Sequence, residues 1–314
     1  MTNKLSYPGL KCVLEYLEAN RRIHITARSP DLRRIEKSIP IHLKIVEIEE
    51  GNIWLNYIQM SPSHCNEIEF KRGIKCYKWC YPMNLEFEKA KEKVREYYLG
   101  GRMNIYANHF GVSNREVESF PKFNVTTNEM TVYDCLLDDI VQYINPNSFP
   151  LEELTVECYD ELNHPHVCSA KKLCIELSDE QRNEYSTRIN AIQNKNAELE
   201  YDTLEWTDVM GLIRYWMENE KETGTTIVCK GYHHGNSNDW IATKLRNEFS
   251  EILSELTGVN DQYPNGTPGF SIPLTSTSKI LVYGRKYSEI FYEEIVLKVV
   301  SSQAEDSTME MEHQ

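Results

Sequence analysis

Cys76-Tyr77-Lys78-Trp79-Cys80, with His64-Cys65 just upstream, gathers enough soft ligands in number to complete a zinc sphere. Structural zinc sites use tighter pairs of knuckles, and positions four apart on an extended strand merely share a face, so these cysteines are expected as thiols along a strand. His164-Pro165-His166-Val167-Cys168 would aim three ligand types to one side if extended, but it reads as a turn-rich loop of exposed, unligated side chains. His233-His234-Gly235 lacks an acidic neighbour at the helical spacing zinc hydrolases use. The chain has no Gly-x-Ser-x-Gly elbow, no phosphate-binding glycine loop ending in Lys-Ser/Thr and no dinucleotide glycine turn. Carboxylates are abundant, but abundance does not select an acid–base pair, which depends on distance and burial. No catalytic residue, metal or cofactor is expected; the expectation is a protein that binds.

The elements that would present a binding surface begin at once. Leu10, Val13, Leu14 and Leu17 recur at the spacing of one helix face, with Pro8 in the first turn, where its missing N–H costs nothing. Ser29-Pro30-Asp31 announces a second helix carrying Leu32, Ile35 and Ile39, and Pro40 stops it. Two or three short helices cannot bury both faces alone, so this block must lean on the remainder of the chain or on another protein.

After Pro40 the period becomes two. Ile41, Leu43 and Ile45 against Ile53-Trp54-Leu55 predict a hairpin turning at Glu49-Glu50-Gly51-Asn52, and Ile68 and Phe70 against the stretch from Ile74 to Trp79 predict another. The stretch from Leu85 to Leu99 predicts an amphipathic helix with Phe87, Ala90, Val94, Tyr97 and Tyr98 inward and Glu88–Lys91 and Glu92–Arg95 paired outside, ended by Gly100-Gly101. Strands and helices then alternate. Leu151, Leu154 and Val156 repeat as Ala170, Leu173 and Ile175 nineteen residues later, near leucine-rich-repeat spacing. Ser178 and Gln181 predict a capping box for a helix carrying Tyr185, Ile189 and Ile192. Thr207 is expected to cap a helix bearing Val209, Leu212, Ile213 and Trp216 that ends at Gly224; a further helix is expected from Asp239 to Leu256, and a closing hairpin from Phe270 to Tyr283.

Two resemblances fit this layout. Pro8-Gly9-Leu10-Lys11-Cys12-Val13-Leu14-Glu15-Tyr16-Leu17 and Leu32-Arg33-Arg34-Ile35 resemble a divergent F-box of the nematode-expanded kind, a helical clasp for the Skp-type adaptor of cullin ubiquitin ligases. That resemblance implies Pro8, Leu10, Val13, Leu14, Leu17, Leu32 and Ile35 as partner-binding residues. Tyr98-Leu99-Gly100-Gly101-Arg102, Ser148-Phe149-Pro150-Leu151, the segment from Leu212 to Asn219 and Phe270-Ser271-Ile272-Pro273-Leu274 resemble a large nematode family known only as a domain of unknown function. The expected fold class is α+β: an F-box-like helical block over residues 1–40, an α/β body over 41–300 with β-hairpins and leucine-rich-repeat-like units, and a disordered acidic tail over 301–314. The expected function is a substrate receptor bringing an unknown client protein to the ligase. The alternative is a scaffold whose first helices pack internally.

Charge and composition bound the partners. The net charge of -14 disfavours sequence-independent binding to nucleic acid or anionic membrane. Residues 1–40 nonetheless carry eight Lys/Arg against four acids, so the block is +4 and the remainder -18, a distribution suited to an acidic protein partner. Without an apolar leader or membrane-length run, and with an odd nine cysteines, the chain is expected to be soluble and intracellular with reduced thiols.

Overall fold

The computed structural model describes residues 7–80, 85–113, 117–157, 162–181, 188–190, 192–232, 239–256, 269–286 and 292–302. Among these residues the chain forms eight α-helices and fifteen strands, an α+β composition with parallel and antiparallel pairing, and it divides after Leu154 into two compact units.

The first unit opens with α1 (Tyr7–Tyr16), α2 (Ala19–Thr26) and α3 (Pro30–Lys37). Ser29 caps α3 by accepting from the Leu32 amide at 3.5 Å, with Pro30 in the first turn as expected. β1 (Ile41–Glu49) then pairs antiparallel with β2 (Asn52–Leu55) around Gly51, whose φ of +85° suits a residue without a Cβ. β3 (Ile58–Ser63) is an additional strand that the sequence pattern left unmarked; Pro62, which has no N–H for the ladder, keeps the inward parity of Met60. β4 (Glu67–Arg72) and β5 (Lys75–Cys80) form the second predicted hairpin, turning at Gly73. α4 (Phe87–Tyr98) leads to β6 (Ile105–Ser113) and β7 (Val125–Tyr133), which run parallel to β1; the order is β5-β4-β3-β2-β1-β6-β7. α5 (Leu137–Val141) follows, burying Leu137 and Ile140.

Across the three parallel strands the inward alternation slips by one at the same level. Leu43 is followed inward by Val46, Ala107 by Phe110 and Thr127 by Met130. At the slip the Asn56 side chain, held at φ +55°, accepts from the Lys44 amide at 2.6 Å and the Ile45 amide at 3.4 Å. It thereby supplies an acceptor where the β1–β2 ladder ends.

α4 departs from expectation on one side. Glu88 does pair with Lys91, at 2.5 Å, but Lys91 and Arg95 are both buried. Arg95 donates to Ser119 Oγ at 2.7 Å and lies over the Phe120 ring, because the segment from Val117 to Phe120 covers this side of the helix and the arginine stem packs beneath it.

In the second unit, β9 (Lys172–Leu177), β10 (Asn196–Thr203) and β11 (Thr226–Tyr232) are parallel, with Leu173 beside Ala197 beside Ile227 and Ile175 beside Leu199 beside Cys229. The three-then-two spacing recurs at Asn194, Ala197 and Leu199, and the buried Asn194 amide donates to Val167 and Ala170 carbonyls at 2.8 and 3.0 Å. β8 (Glu153–Val156) lies at the division of the units. α7 (Trp206–Asn219) buries Val209, Leu212, Ile213 and Trp216; its cap is Glu205 rather than Thr207, since the Glu205 amide donates to Asp208 Oδ2 at 3.0 Å. It ends at the left-handed Glu220, four residues before Gly224. α8 (Asp239–Glu248) packs against α7 but stops well short of Leu256, because Ser254 and Glu255 form β12 and pair with β13 (Phe270–Pro273). β14 (Ser278–Lys286) and β15 (Tyr292–Ser301) complete the order β12-β13-β14-β15-β11-β10-β9. Tyr185, His233-His234-Gly235, residues 257–268 and the tail from 303 lie outside the described residues.

Candidate functional site

A buried ion network fixes the helical block. Glu36 on α3 is 1% exposed and receives Arg22 Nε at 3.1 Å, Arg102 Nη1 at 2.8 Å and Arg102 Nη2 at 2.5 Å. Arg22 also donates to the Pro40 carbonyl, and Arg102 Nε to the Tyr98 carbonyl at 2.7 Å. Burial pulls the Arg22 pKa down, while the charge and hydrogen bond of Glu36 act to raise it. Lys37 reaches the Gly100 carbonyl, and Arg33 lies 4.8 Å over the Tyr97 ring. Several cations of the block are therefore engaged inside their own unit.

With its inner side anchored by Arg22, Ile23 and Thr26, α2 presents Arg21, His24 and Ile25 outward. These roof one face of β3–β5. Strand parity selects the floor: Phe70 lies opposite Tyr77 and Arg72 opposite Lys75, so Phe70, Arg72, Tyr77 and Trp79 share that face with Met60, which pairs with Phe70. Trp79 packs against His24 at 5.1 Å between ring centroids and edge-on against Phe70 at 5.3 Å. Together they enclose a cleft of about 440 Å³ whose floor is apolar and aromatic. The opposite face of the hairpin is an ionic lattice: Lys78 lies 2.9 Å from both Glu67 and Glu69, and hydrogen bonds from Lys78 and Lys71 hold the Glu69 carboxyl below the ordinary range.

A second depression of about 340 Å³ adjoins the cleft, sharing Glu18, Asn20, Arg21, Ile58 and Arg72 with it and adding Lys44, Asn56 and Tyr57. Three cations line it, and among the described residues none of Arg21, Arg72 and Lys44 forms an ion pair. The single carboxylate there, Glu18, is engaged as the α2 cap, accepting from the Arg21 amide at 3.1 Å.

The residues singled out by sequence are distributed differently. Leu14 is buried at 3% exposure, Leu10, Leu17, Leu32 and Ile35 are half-buried, and Pro8 and Val13 are exposed. α1 packs against α3, which brings these side chains to one helical pair, with Val13 and Tyr16, at 50% and 92% exposure, facing outward. The cleft residues Ile25, Met60, Phe70, Tyr77 and Trp79 escaped the motif search. The signal of Phe70, Tyr77 and Trp79 was present in the alternation of the second hairpin, where Cys76 and Cys80 occupy the other face.

The remaining chemical candidates separate. Cys65, Cys76 and Cys80 are exposed thiols, and four strand residues span about 13 Å, too far for one ion to take both Cys76 and Cys80. The stretch expected as a loop around His166 is instead α6 (Pro165–Ser169), capped by His164, which accepts from the His166 amide at 3.2 Å. In the second unit a concavity of about 240 Å³ gathers Glu157, Glu176, Glu200 and Asp202. Among the described residues no group of three or more His, Cys, Asp or Glu is arranged to hold a metal ion, and no helix is long and apolar enough to cross a membrane.

A family model described as a domain of unknown function (DUF3557) matches residues 86–231, so this stretch is similar to an uncharacterised domain family. Three of the four segments that carried the resemblance fall within it, and Phe270 to Leu274 lies beyond it. The matched stretch runs from the residue before α4 into β11, so the cleft, Tyr98 apart, is built from residues that precede it. No curated protein and no solved structure matches the chain.

Proposed function

We propose that the protein acts by binding another polypeptide through the face formed by α2 and β3–β5. The observation that carries this reading is the coincidence of an apolar cleft with an edge strand exposed along its whole length. All six residues of β5 are exposed, Tyr77 and Trp79 among them, and no strand pairs with its outer side among the described residues. The free N–H and C=O groups of such an edge can recruit another chain, and an extended partner using them gains main-chain bonds and side-chain pockets together. In this reading the helical block is a fixed wall of the site.

A second reading is favoured by Val13 and Tyr16. Their exposure leaves an outward apolar strip on α1 for a Skp-type adaptor, as the F-box-like resemblance implies, with a client held elsewhere on the body. The leucine-rich-repeat-like spacing, supported by the parallel β9–β10–β11 ladder, would make the second unit that client surface.

Affinity capture with quantitative mass spectrometry separates the two. Trp79→Asp and Ile25→Asp are expected to lose partners that Val13→Asp with Tyr16→Asp retains. Loss only in the α1 variant, together with retention of purified Skp-type adaptor by the wild type alone, would instead establish the second reading. Leu14→Asp is unsuitable as a probe, because a buried charge there would unfold the block.

A further inference from the structure

Two neighbouring cavities of opposite character make a more specific demand on the occupant. The larger is floored by Met60, Phe70, Tyr77 and Trp79; the smaller is lined by Arg21, Lys44 and Arg72. They share Arg21 and Arg72, so an extended segment can enter both at once. In a chain of net charge -14, these three cations form no ion pair among the described residues, and Lys44 is positioned by Tyr57, whose hydroxyl lies 3.4 Å from its ammonium group. Glu18, the carboxylate among the described residues lining the smaller cavity, is committed to the α2 cap. Resting on the protein-binding reading above, we infer that the occupant is an extended peptide segment that seats an apolar side chain in the cleft and an anionic group, carboxylate or phosphate, against Arg21, Arg72 and Lys44. Burial of the apolar anchor supplies the non-directional attraction, and the guanidinium forks supply orientation and reject basic sequences.

The test is selection of a random dodecapeptide phage library on the full chain, followed by fluorescence anisotropy with the enriched peptides. The expected outcome is enrichment of acidic sequences that contain at least one large apolar residue. Their affinity should fall at least tenfold on the double change Arg21→Glu and Arg72→Glu, at least tenfold on Trp79→Ala, and steeply with added salt. Resynthesis with phosphoserine in place of the critical glutamate assigns the anion: tighter binding points to phosphate, equal or weaker binding to carboxylate, and both agree with the inference. Circular dichroism and thermal melts confirm that each variant is folded, as the exposure of the altered side chains leads one to expect. Enrichment of neutral or basic peptides, failure to enrich any sequence, or affinity indifferent to the charge reversal would overturn it. Partner loss in the Trp79→Asp capture experiment alongside such a result would leave the protein-binding face standing and remove only this occupant.

Discussion

Glu36 carries a large structural consequence, because two guanidinium groups depend on it where solvent cannot reach. Arg22 and Arg102 are 3% and 2% exposed, and removal of their shared anion leaves both charges buried. Glu36→Ala is expected to lower stability by about 3–5 kcal/mol, the usual cost of orphaning a buried charge, read as a shift in denaturant midpoint. A change within about 0.5 kcal/mol would show that the network is solvated. No sequence signal marked this residue: it was one acid among four in a basic block, and only folding determined that its partners were Arg22, fourteen residues earlier, and Arg102, sixty-six residues later. The cysteines teach the converse lesson. Cys76 and Cys80 attracted a chemical reading through identity, while Tyr77 and Trp79 between them hold the cleft through parity.

At the level of elements, the strands of the second unit carry a lattice that couples stability to pH. Glu198 on β10 lies 3.0 Å from Lys172 on β9 and 2.8 Å from Lys230 on β11; Lys230 in turn lies 3.4 Å from Glu294 on β15. Burial alone would raise the Glu198 pKa, but the hydrogen bonds from Lys230 and Lys172 outweigh it and the net shift is downward. A carboxylate with a depressed folded-state pKa adds stability that is complete above the unfolded value of about 4.3 and is lost as pH falls through the folded value. Glu198→Gln should therefore be less stable than wild type at pH 7, with the gap closing as thermal melts are taken down toward pH 3. A gap unchanged over that range would exclude the linkage. The elements themselves were legible where one period dominated: both hairpins, α4 and α7 follow their apolar spacing. β3 and β12 were not, since a proline without an N–H weakens the strand signal of one and the other exists only because β13 lies beside it.

For the molecule as a whole, an excess of 48 acids over 34 Lys/Arg produces self-repulsion that salt relieves. Raising sodium chloride from about 10 to 150 mM shortens the screening length from about 30 to 8 Å and is expected to raise Tm by a few degrees. The deficit of Glu36→Ala should persist at the higher salt, because buried pairs are screened far less than surface ones. A Tm that falls over this salt range would show that surface attractions outweigh the net repulsion. The sequence by itself determined the helical opening block, the strand periods that follow it and the acidic balance, because these depend on local spacing and on composition. Tertiary structure alone decided that Leu14 turns inward while Val13 and Tyr16 face solvent, that Arg22 is buried on Glu36 while its neighbour Arg21 lines an open depression, and that residues from α2 and three strands meet around a cleft. Those outcomes depend on which distant side chains come within a few ångströms, and a local pattern holds no such information.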